Sequence, residues 1–208
     1  MSDVPMDMEL AALLASKLCH DVISPVGAIN NGLEVLAEDG DASSREYALQ
    51  VIRQSSAQAS AKLQFARLAY GAAGSVGATV DLNEARALIE GVVDAKKHTV
   101  DWQIGAGVDS KPYVKLLLNL TAMALAALPR GGAVAIHMTP PAEAPRRIVI
   151  VAAGPHAGLQ APVAQMLTDA AMQPDTGTIL AYHCKRLASD LGHALTVEFA
   201  EGQVVLEI

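Results

Sequence analysis

His20 and Asp21 stand side by side in the stretch L-C-H-D-V-I-S-P-V-G, Leu18 to Gly27. An imidazole beside a carboxylate can be a core group, a metal ligand, a general base or a carrier of a transferred group. The spacing around it sorts these roles. Leu14, Leu18, Val22, Val26, Ile29, Leu33 and Leu36 recur at steps of three and four, the apolar stripe of a helix. At about 100° per residue His20 falls nearly opposite that stripe, among Ser16, Lys17, Ser24, Gly27 and Asn31. That placement weighs against a core histidine. No HxxxH or HxxE pattern includes His20, which weighs against a metal site. A hydrolytic base needs a nucleophile and a pocket, and an open helix face offers neither. Two readings remain open on the residues alone: a solvated bystander, or a phosphoryl carrier. For the carrier, an exposed imidazole nitrogen is a good nucleophile near neutral pH. The adjacent acid, Asp21, would bond the other ring nitrogen and hold the tautomer. Gly27 and Ala28 leave the face below the histidine flat enough for a second protein to approach.

The elements that must position this pair read as follows. Residues Asp7 to about Ala37 form one long helix, bent near Cys19 to Asp21 because Pro25 removes a backbone donor. Gly40 stops it. Ser43 and Glu46 suggest a capping box for a second helix reaching about Ala69, with Tyr47, Val51, Ile52, Ala59, Leu63 and Ala66 on its buried side. Two long helices on a short connection make an antiparallel hairpin, and a pair of hairpins would close as a four-helix bundle. Tyr70 to Ala78, rich in Gly and Ala, is the linker, which divides the chain into 1–74 and 75–208. Beyond it, helices are expected over Leu82–Ala95, Pro112–Leu128, Pro162–Ala170 and Thr178–Leu191. Strands are expected over Val100–Ile104, Ala133–Met138, Arg147–Ala152, Leu195–Phe199 and Val204–Ile208. The fold class is α+β.

Composition bounds the rest. The 208 residues carry a formal charge of −7, which argues against a nucleic-acid binder. Cys19 and Cys184 lie far apart and imply neither a disulfide framework nor a zinc site, as in a reducing cytosol. The N-terminus, M-S-D-V-P-M-D-M-E-L, lacks the basic segment of a signal peptide. Apolar runs look too interrupted for a membrane span, so a cytoplasmic protein is expected. Cys19 reads as a small packing residue, Trp102 as core, and His98, His137, His156, His183 and His193 as structural or surface groups.

The stretch H-D-V-I-S-P-V resembles the H-box of sensor histidine kinases, in the helical hairpin where those proteins dimerise and carry phosphate. Ile23 stands where the kinase box usually has arginine. The second half is similar to the kinase ATP-binding domain of Bergerat type. Leu116 to Leu120 (L-L-L-N-L) and Pro129-Arg130-Gly131-Gly132 resemble its N-box and strand entry. Val149 to Leu159 and Thr176 to Leu187 resemble its two glycine boxes. The nucleotide-binding residues themselves are replaced. Met123 takes the place of the magnesium-binding asparagine and Ala152 that of the adenine-reading aspartate. His156 stands for a glycine of the first box, and Thr176, Thr178 and Leu180 for the glycines of the second. Thioether sulfur does not suit hard magnesium, and side chains block close approach of backbone to phosphate. A kept histidine hairpin beside a degenerate ATP domain resembles the ChpT-type family of bacterial histidine phosphotransferases.

That resemblance implies a homodimer with a central four-helix bundle and a degenerate ATPase-like α/β sandwich behind it. It implies phosphoryl transfer from the receiver of a hybrid kinase (CckA-type) to response regulators (CtrA-type and CpdR-type) through His20, with Asp21 orienting the ring and no ATP consumed. No cofactor is then expected on this chain, the magnesium belonging to the receiver. Receiver contacts are expected from Leu13, Ser16, Lys17, Ser24, Gly27 and Asn31 on the first helix, and from Arg53, Lys62 and Arg67 on the second. A receiver-binding adaptor or inhibitor that carries no phosphate shares the same architecture and is the alternative.

Overall fold

The computed structural model describes residues 6–38, 41–71, 77–169 and 171–208, with backbone alone at residues 6 and 7. Gly40, most of the linker with the 74/75 boundary, the residues before Met6 and Ala170 at the end of an expected helix lie outside the described residues.

Helices α1 (Met6–Ala37) and α2 (Ala42–Ala69) form the antiparallel hairpin. Close approach of the two helices rests on Gly32, where a Cβ would come within 2.7 Å of Ile52 Cγ1. α1 continues as helix through Pro25, which is buried. The N-cap of α2 is Asp41, not Ser43: its Oδ1 accepts the Ser44 N–H at 2.7 Å. Either residue type suits a cap, but an aspartate two residues upstream starts the helix first and places Ser43 inside it. Tyr47 and Leu63 were expected inside and are exposed, whereas Ala48, Ala59, Phe65, Ala66 and Ala69 are buried. Ile23, Val26, Leu33, Val35 and Leu49 also face outward. The expectation about membrane spans needs correcting too. Met8–Ala37 is long and apolar enough to cross a membrane by length and composition, and only 11% of its most apolar window is buried. Its Leu, Ile, Val and Ala residues raise the mean hydropathy although Lys17, His20 and Asp21 sit in the middle.

The second half contains β1 (Thr79–Asp81), α3 (Leu82–Val92), β2 (His98–Trp102), β3 (Val108–Ser110), α4 (Lys111–Ala126), β4 (Gly132–Met138), β5 (Ile148–Ala153), α5 (Ala161–Thr168), α6 (Ile179–Asp190), β6 (Thr196–Ala200) and β7 (Gln203–Glu207). Five strands form one sheet in the order β2-β4-β5-β7-β6, with β2 parallel to β4 and the other neighbours antiparallel. Registered triples stack across the middle of it: Val134, Ala152 and Val204 in one row, Ile136, Ile150 and Leu206 in the next. All six are fully buried, because residues aligned across strands share a face. α4 packs on this face. Leu116, Leu117, Leu118 and Leu120 have no exposed surface, as in a helix covered on every side. Each contributes about 1.5–3 kcal/mol of burial. The short β1–β3 ribbon was not expected from the sequence. At the entry to β4, Gly131 and Gly132 adopt φ of 86° and 150°, where a Cβ would press within 2.3 Å of the Lys97 and Ala153 carbonyls. The sheet-and-helix half behind a helical hairpin makes the chain α+β, as expected.

Candidate functional site

His20 projects from the middle of α1 with its side chain 88% exposed. Its Nδ1 lies 3.6 Å from Asp21 Oδ1, within ion-pair reach but longer than a hydrogen bond. The other carboxylate oxygen, Oδ2, accepts from Lys17 Nζ at 3.0 Å, one turn back on the same helix. Asp21 is thus fixed from one side and faces the imidazole from the other, while Nε2 has no protein partner among the described residues.

A second bond steadies this turn. Proline has no N–H, so Pro25 leaves the carbonyl four residues earlier without its helical donor. That carbonyl belongs to Asp21, and Lys62 Nζ donates to it at 2.7 Å from α2. The reading of Lys62 as a receiver contact therefore meets a half-buried side chain already engaged inside the hairpin. The link was readable in principle, because a lysine opposite a proline-freed carbonyl can cap it. What hid it was the helix register, which fixes that Lys62 lies opposite Asp21.

Ser16, Ser24 and Asn31 are exposed, and Leu13, Lys17 and Gly27 half-buried, along the His20 side of α1. A Cβ at Gly27 would meet nothing within 4 Å, so the surface there is open. Arg53 and Arg67 do not gather at this point. Arg53 borders a groove near the start of α2 with Arg45, Leu49 and Gln50, and Arg67 lines a cavity near its end. Cys19 is exposed rather than packed, since its neighbour His20 already faces outward and the apolar side of the helix is turned away. Trp102 is only partly buried against the core.

The other histidines are structural or surface groups. His98 Nε2 lies 3.1 Å from the Leu128 carbonyl, and His193 Nε2 lies 2.8 Å from the Tyr113 hydroxyl. His137 is exposed on β4. His156 holds φ of 60°, in the left-handed region that favours glycine, and receives Arg130 Nη1 at 3.0 Å. His183 is buried, and desolvation, with the Lys115 charge adding to it, lowers its pKa to about 4.

Met123, Leu180 and Thr176 line a cavity of about 150 Å³, below the size of most small-molecule sites. Ala152 is buried in the sheet. In the turn that leads into α6, Asp175 gathers donors of its own loop. Asp175 Oδ1 accepts Gly177 N–H at 3.0 Å, Thr178 N–H at 2.8 Å and the Thr178 hydroxyl at 2.7 Å. These bonds, the Thr178 hydroxyl first, hold the Asp175 carboxyl below its ordinary pKa. Among the described residues no three acidic, histidine or cysteine side chains cluster as a metal site.

The histidine phosphotransferase C-terminal domain family matches residues 82–203. The protein phosphotransferase ChpT of Brucella abortus (strain 2308) is 43% identical over 144 residues, 69% of this chain and 68% of that protein. A bacterial phosphotransferase structure at 1.7 Å superposes over 100% of this chain and 98% of its own, with 32% identity and a TM-score of 0.84. Full-length ShkA in complex with AMPPNP aligns more loosely, at 18% identity and a TM-score of 0.44 over 93% of this chain and 44% of its own.

Proposed function

The chain belongs to the ChpT-type histidine phosphotransferase family, and from that membership we propose that it relays a phosphoryl group between receiver domains through His20. The observation that carries the reading is the exposed imidazole with Nδ1 turned toward a fixed carboxylate and Nε2 open. In the first step the Nε2 lone pair attacks the phosphorus of a receiver's aspartyl phosphate. The P–N bond forms as the acyl P–O bond breaks, and the receiver carboxylate leaves with the electron pair. Nδ1 keeps its proton, and Asp21 offsets the positive charge that develops on the ring. A second receiver's carboxylate then attacks the phosphohistidine, reversing the bond changes and restoring neutral His20. Magnesium belongs to the receivers, whose carboxylates hold it. Leu13, Ser16, Lys17, Ser24, Gly27 and Asn31 border the docked receiver, and Arg53 and Arg67 act at most in steering its approach.

No ATP enters this cycle. The small cavity beside Met123, Leu180 and Thr176, about 150 Å³, supports that. The donor is the receiver of a hybrid kinase (CckA-type), and the acceptors are response regulators (CtrA-type and CpdR-type). The protein works as a cytoplasmic homodimer, and Leu33 and Leu49, outward apolar residues near the tip of the hairpin, are covered by the second copy in a four-helix bundle.

The test is incubation with a receiver carrying labelled phosphate. Acid-labile label on the wild type and none on His20→Ala is the expected result. Binding of the receiver without label on the wild type would replace the relay with a receiver-binding adaptor.

A further inference from the structure

We propose that the cavity between the hairpin and the second half binds a small amphipathic ligand with one acidic head group and an aliphatic body. The cavity holds about 610 Å³, within the range of small-molecule sites. Leu14 and Leu18 of α1, Leu63 of α2 and Leu187 of α6 supply apolar wall, and Lys115 of α4 and His183 of α6 supply a polar end. Both of these polar residues are buried. Lys115 Nζ donates to the Gly71 carbonyl at 2.8 Å and forms no ion pair among the described residues. Neither ring nitrogen of His183 has a hydrogen-bond partner there, the Ala69 carbonyl lying near the ring but outside hydrogen-bonding geometry.

A buried cation without an anion and a buried imidazole without a partner both cost free energy. One acidic head group answers both, accepting from the ammonium and from the imidazole N–H. Arg67, Arg186 and Asp190 stand at the border of the cavity. The aliphatic walls offer little to a sugar or a base, so the body of the ligand is hydrocarbon. A molecule seated there touches four helices and ties the hairpin to the second half. This site stands apart from His20 and does not rest on the relay.

The experiment titrates decanoate, decyl phosphate and decanol, below their micelle concentrations, into the full chain by calorimetry. An acidic probe saturating one site per chain is the expected result, with decanol weaker by about tenfold, the worth of one charge-assisted hydrogen bond. The tighter of the two acids tells a carboxylate from a phosphate head. Lys115→Met should bring the acids down to the decanol level. Leu14→Trp, which fills the cavity, should abolish binding with the circular dichroism spectrum kept. Equal binding of decanol, uptake without saturation, or binding that survives Leu14→Trp would overturn the proposal.

Discussion

The His20 imidazole and the Asp21 carboxylate sit 3.6 Å apart, within ion-pair reach of the positive charge the ring gains on phosphorylation. Asp21→Asn keeps the Lys17 side filled but loses the charge offset. Phosphoryl transfer to the variant is expected to slow by about 10–100-fold, the usual worth of a residue that orients a reacting group, with receiver affinity unchanged. Single-turnover labelling against receiver titration separates the two. His183 supplies a second test. Its folded form takes up a proton only near pH 4, whereas the unfolded chain takes it near 6.5. The stability from keeping it neutral is therefore fully present above pH 6.5 and is lost as pH falls toward 4, on the order of 3 kcal/mol at most. His183→Phe should show a flatter Tm profile across that window, read by differential scanning calorimetry at matched ionic strength. Sequence alone located His20 and Asp21 well because helical periodicity decides which face a residue takes. The isolated state of His183 was not legible, since it depends on Tyr70, Lys115 and the α2 terminus meeting α6 in space.

At the scale of elements, Pro25 and Lys62 act as a unit. Lys62→Met orphans the Asp21 carbonyl and should cost about 1.5–3 kcal/mol. In a Pro25→Ala background the alanine N–H can serve that carbonyl, and the same Lys62→Met change should cost less than half as much. Urea unfolding of the four proteins gives the coupling directly. Elements with strong patterns were legible: both long helices, α4 and the five sheet strands. The misses have local causes. β1 and β3 are three residues each, too short for an alternating pattern to register. The start of α2 turned on a choice between two good capping residues, Asp41 and Ser43.

For the whole molecule, the informative failure was the burial of Tyr47 and Leu63. Their apolar character was read as an inside within one chain, yet Tyr47 is 69% exposed and Leu63 48%. A pattern reports that a surface is to be covered, not whether the same chain covers it. Leu33 and Leu49 are both exposed on the hairpin. The double variant Leu33→Glu, Leu49→Glu should shift the proposed dimer to monomer in analytical ultracentrifugation at micromolar concentration. The second half should stay folded, because neither residue belongs to its core.

The lysine that reaches across to the Asp21 carbonyl also constrains how this hairpin can change length. Lengthening the connection between the helices leaves the reach intact. One residue inserted within α2 ahead of Lys62 would turn it about 100° from the facing carbonyl. Length variation in this hairpin is therefore free at its tip and closed along its stems near the histidine, so a chain that drifts there must change by whole turns or give up the proline.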